Sequence, residues 1–155
     1  MANSHAWIGT ASIVVPNVVA NSAYAANDAL GSAFEVVSVG GYRGGAVYSI
    51  NMFDRGTASP NLRLHMFAGS ASGSVNGATF EVADADESKY IGYVNISTWV
   101  SAGTAKKVAN VTNPGQGIVS ISGTRSIWGQ FEAVAGFTPG NTANPFKLNM
   151  LTIMD

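Results

Sequence analysis

The sequence predicts an all-β fold, an antiparallel β-sandwich of jelly-roll-like type with an extended N-terminal arm. Three observations carry that expectation. Apolar and polar side chains alternate with a period of two over Ala46–Phe53 and again over Leu62–Phe67, as half-buried strands do. Short β-rich runs recur at fairly regular spacing with Gly, Asn, Ser and Asp between them, which favours a sandwich or barrel. Only 11% of the 155 residues are charged, against roughly 25% in an ordinary soluble domain, and the uncharged remainder suits strands, turns and surfaces held against another protein. An immunoglobulin-like sandwich is the second choice.

Residues 1–23 have no clean period and are read as an N-terminal arm with a short strand at Ser12–Val15; residues 24–155 form a single sandwich domain. Strands are expected at Phe34–Val39, Ala46–Phe53, Leu62–Phe67, Ala78–Val82 and Tyr90–Ile96, with a weaker candidate at Lys106–Val111. In Ala46–Phe53, residues Ala46, Tyr48, Ile50 and Met52 should share one face. In Leu62–Phe67, Leu62, Leu64 and Met66 should point inward, and Arg63 and His65 outward. Gly40–Gly45 and Gly123–Ser126 read as hairpin connections, the second joining strands Gly117–Ser122 and Ile127–Val134. A strand at Phe146–Ile153 closes the chain, and helical patterning is confined to one turn near Ala83–Ser88.

Net charge is −1 and the eight basic residues are scattered, which argues against a nucleic-acid-binding face. The chain contains no cysteine, so disulfides and thiolate chemistry are excluded. The apolar stretch within Ala11–Ala26 lacks a basic leader and is broken by Pro16, so it does not read as a signal peptide. No run of about 18–20 apolar residues is present, so no membrane partner is expected.

Nothing in the pattern forms a catalytic site, and the chain is read as non-enzymatic with no cofactor. The acidic run Asp84-Ala85-Asp86-Glu87 lacks the further ligands and the Gly of a calcium loop, and is read as a solvated turn. His65 beside Arg63 is read as a surface or interface histidine, and no G-x-S-x-G elbow occurs. The candidate functional residues are instead protein contacts. In the arm these are Trp7, Ile8, Ile13, Val14 and Val15, which would insert into a neighbour. On the body they are Tyr42 and Arg43 at a glycine-flanked tip, and Trp128, placed on an open face with Gln130 and Glu132. Trp7, Trp99 and Trp128 also suggest a sugar-stacking platform, which makes a carbohydrate-binding module one alternative.

From Tyr24 onward, the motifs Asp28-Ala29-Leu30-Gly31, Asn76-Gly77-Ala78-Thr79-Phe80, Asp84-Ala85-Asp86, Tyr90-Ile91-Gly92 and Leu148-Asn149-Met150-Leu151 resemble small structural proteins of tailed bacteriophages. The resemblance implies a virion protein at the capsid surface, a decoration or cement protein whose partners are the major capsid protein and copies of itself in a homotrimer. A tail or head-fibre component is the other virion role it implies.

Overall fold

The computed structural model describes residues 7–38, 44–112, 114, 117–119, 126–140 and 142–154. The alternating segments fold as ten strands: β1 (Trp7–Val14), β2 (Ala29–Ser38), β3 (Gly44–Asp54), β4 (Leu62–Phe67), β5 (Tyr90–Ile96), β6 (Trp99–Ser101), β7 (Lys107–Thr112), β8 (Gly117–Val119), β9 (Ser126–Ala133) and β10 (Phe146–Met154). A 3-10 turn over Asp84–Lys89 is the one helical element among the described residues, and no helix there is long and apolar enough to cross a membrane.

Two antiparallel sheets pack face to face as a β-sandwich. The larger has the order β1-β10-β3-β7-β6, with β8 continuing alongside β3, and the smaller has the order β2-β9-β4-β5. The chain passes from one sheet to the other at each step from β1 to β4, and β10 lies between β1 and β3. The core is the set of inward side chains from both sheets. Leu30, Ile50, Met52, Leu64, Phe131, Phe146 and Leu148 are each fully buried, contributing roughly 1.5–3 kcal/mol apiece relative to exposure. Phe34 stacks on Phe131 with ring centroids 5.9 Å apart.

Several expectations change in three dimensions. The N-terminal segment is not a free arm over residues 7–15. Its backbone pairs with β10 from Trp7 opposite Met154 to Val14 opposite Lys147, and Val15 is 1% exposed. In β3 the alternation slips: Leu151 faces Ser49 but Thr152 faces Val47, a bulge that leaves Tyr48 unmatched. Val47 therefore joins Ile50 and Met52 in the core while Tyr48 is exposed. The hairpins expected at Gly40–Gly45 and Gly123–Ser126 do not join paired strands. β2 and β3 lie in different sheets, as do β8 and β9, so each pairs with a strand other than its sequence neighbour; residues 39–43 and 120–125 of these connections lie outside the described residues. The segment Ala78–Val82 contributes only an isolated bridge, Thr79 to Asp28.

Candidate functional site

The two sheets differ in what covers their outer faces. The long connection from Ala68 to Ala83 folds back over the smaller sheet. Its backbone is fixed by the side-chain amide of Gln130 on β9, which accepts from Ser74 N–H (2.7 Å) and donates to Ser74 O (2.7 Å) and Gly31 O (3.1 Å). Asn76 Oδ1 accepts from the Tyr24 hydroxyl and from Gly31 N–H. Asp86 closes the far end, accepting from Ser72 N–H (2.7 Å) and Lys89 Nζ (2.9 Å). The hydrogen bond from Lys89 holds its carboxyl below the usual range. Those oxygens are engaged within the fold, so the Asp84–Glu87 run is a structural clasp with Asp86 buried, and not wholly the solvated turn expected.

Under this cover lies the densest polar cluster among the described residues. His65 points away from the sandwich interior as expected, but it is 7% exposed because Phe80 stacks on it at 3.9 Å. Its Nε2 lies 2.8 Å from Glu132 Oε2 and its Nδ1 2.9 Å from the Tyr90 hydroxyl. Arg63 Nη1 reaches both Glu132 oxygens at 3.3 Å, and its guanidinium lies 5.4 Å from the Tyr93 ring centre. Burial pushes His65 below its ordinary value of 6.5 despite the hydrogen bond and charge of Glu132. A neutral ring that donates from Nε2 to Glu132 and accepts the Tyr90 proton at Nδ1 satisfies every contact. Carboxylate–imidazole–hydroxyl is the order of a nucleophile-activating chain. Here, however, the hydroxyl is a phenol whose pKa burial raises above 10, which opposes its ionisation. The cluster fixes the sheet beneath its cover.

Among the described residues, no such connection folds over the outer face of the larger sheet. Cross-strand register sets its side chains in rows. Ser12, Asn149, Asn51 and Asn110 form one row across β1, β10, β3 and β7; Thr10, Leu151, Ser49 and Thr112 form the next; Val14, Lys147, Phe53 and Val108 form a third. Ser12 Oγ donates to Asn149 Oδ1 (2.7 Å) and Asn110 Nδ2 donates to Asn51 Oδ1 (2.6 Å). Two adjoining hollows of about 340 and 320 Å³ flank Asn149 on this face.

The expected contact residues are dispersed. Val15 is part of the core at 1% exposure, Ile13 is half-buried and packs against it, and Val14 is 39% exposed. The backbones of Trp7 and Ile8 pair with Met154 and Ile153. Tyr42 and Arg43 lie outside the described residues. Trp128 is half-buried between Glu35 and Phe67, and its expected open-face companions Gln130 and Glu132 are buried. Trp99 turns into the sandwich and donates from Nε1 to Pro60 O at 2.8 Å. Trp99 and Trp128 thus stand in different sheets and form no common platform. Neither the Gln130 anchor nor the three-row face is legible from local patterning, because both depend on which distant strands become neighbours. Compared with known proteins, the chain matches no family model and no curated sequence.

Proposed function

We propose that the chain is a non-enzymatic virion structural protein, a capsid decoration or cement protein that binds the assembled shell, and that its sandwich is a jelly roll. The strand orders β1-β10-β3-β7 and β2-β9-β4-β5 support the second part: they fit eight strands shared between two Greek keys, with β6 and β8 as additions. The observation that carries the first is the open edge of β1. This strand ends its sheet. Its sequence WIGTASIV holds no charge and no proline, and its register with β10 runs without a bulge. Charges, prolines and bulges are the devices by which natural sheets prevent edge pairing, and β1 carries none of them. A partner strand added to such an edge gains main-chain hydrogen bonds over its whole length.

Binding restricted to the assembled shell stabilises that shell by mass action, and contact with several subunits at once adds effective concentration. Two measurements test the proposal. The first is quantitative mass spectrometry of virions of a phage that encodes the chain. A copy number comparable with the major capsid protein supports decoration; a handful of copies moves the protein to the tail or a head fibre; absence refutes a virion role. The second is cosedimentation of Val14→Lys with shells that lack the protein. Loss of binding with folding intact is expected, and undiminished binding overturns docking through β1.

A further inference from the structure

We propose that the outer face of the larger sheet carries a binding groove for a carboxylate-bearing saccharide, a site distinct from the open edge of β1. The two hollows described above meet at Asn149 and together run along β10 from Leu151 to Lys147, about 13 Å of extended strand. That length suits a short oligosaccharide better than a single small ion.

The two halves differ in chemistry. The first is neutral and hydrogen-bonding, lined by Thr10, Ser12, Ser49, Asn51 and Asn149, with Leu151 as its apolar wall. The row of side-chain hydrogen bonds uses the Oδ1 atoms of Asn149 and Asn51. This orients the two amides, and among the described residues neither Nδ2 has a protein partner. Fixed amide donors beside hydroxyls match the donor-and-acceptor pattern of sugar hydroxyls. The second half is cationic: Arg55, Lys106 and Lys147 surround Phe53 and Ala102. No acidic side chain lines either hollow, and none of these three cations enters an ion pair among the described residues.

The backbone of Arg55 is held in place. Its N–H donates to Pro145 O at 2.8 Å, and the buried carboxylate of Asp54 fixes the turn by accepting from Gly56 and Ser59 N–H at 2.7 Å each. Three cations at one end of an otherwise neutral groove fit a ligand with many hydroxyls and one localised negative charge. A nucleic acid would need cations along the whole track. Phe53 offers an apolar face for ring C–H groups, and the cations supply charge-assisted hydrogen bonds to a carboxylate.

The test is calorimetric titration of the full chain with oligomers of galacturonate, mannuronate and glucuronate, with their methyl esters, and with a glutamate oligopeptide of equal charge. Saturable binding of at least one uronate is expected, about tenfold tighter than its ester. Lys147→Gln should lower affinity for the acid form by about tenfold and leave that for the ester unchanged, whereas Asn149→Ala should weaken both. Absence of binding to every uronate at millimolar concentration overturns the proposal. So does glutamate-peptide binding as tight as uronate binding, which would make the site a peptide dock, or affinity that neither substitution alters.

Discussion

Replacing Gln130 with leucine keeps the volume of a fully buried side chain and removes its whole hydrogen-bonding capacity. Three bonds are lost, one accepted from Ser74 N–H and two donated to the carbonyls of Ser74 and Gly31. At about 1 kcal/mol per neutral hydrogen bond the net cost is about 3 kcal/mol. For a chain of this size each kcal/mol lowers Tm by about 2–4 °C, so a fall of about 6–12 °C is expected. The loss should not be uniform. Gln130 is what ties the Ala68–Ala83 connection to β9, so hydrogen exchange at Ser74 and its neighbours should accelerate before that of the β9 and β4 ladder. Urea unfolding gives the global figure, and exchange mass spectrometry the local one. A cost below about 0.5 kcal/mol would refute the role of Gln130 as the anchor, since that is the range of an ordinary surface substitution. Equal acceleration throughout the smaller sheet would refute the local cover.

Acid should weaken the fold through His65. Its folded pKa lies below the ordinary 6.5 because burial disfavours the imidazolium, so between the two values the unfolded chain binds more protons. Stability from this group is therefore complete above about pH 6.5 and declines as pH falls toward the folded value. Tm measured between neutral pH and pH 5 should fall less steeply in His65→Gln than in the parent, and equal slopes would exclude His65 as the source. Gly56 and Gly140 touch across the turn that carries Arg55: a Cβ on Gly56 would lie 2.6 Å from Gly140 N, and one on Gly140 2.5 Å from Gly56 Cα. Either alanine substitution should cost about 1–3 kcal/mol in urea unfolding, as backbone overpacking does, and a neutral result would show that the turn can open.

Where local patterning is strong, the sequence was enough: β4 and β5 fall on Leu62–Phe67 and Tyr90–Ile96 as expected, with a register shift only at the end of the pair, between Met66 and Phe67. It failed where a neighbour decides. Nothing local marks the bulge beside Tyr48, because the extra residue is defined by Leu151 and Thr152 on another strand. Gly9, Ala11 and Ser12 dilute the pattern of β1 so far that only pairing with β10 makes it a strand. Alternation correctly sent His65, Gln130 and Glu132 to the outer face of their sheet. It could not reveal that a connection remote in sequence would bury that face. The groove is invisible for the same reason: Ser12, Asn51, Asn110 and Asn149 come from four separate parts of the chain and meet only by register.

The position of β10 also constrains when this molecule can become itself. It pairs with β1 on one side and β3 on the other, yet it is made after the nine other strands. Until it emerges from the ribosome, β1 has no described strand to pair with, the three rows of the outer face are split, and the apolar sides of Ile13 and Met52 lack Leu148 between them. The smaller sheet, by contrast, has all four of its strands once β9 has emerged. Until β10 emerges the nascent chain is therefore a half-built sandwich waiting for one central strand, and with an uncharged β1 exposed it is most open to pairing with another copy in that interval.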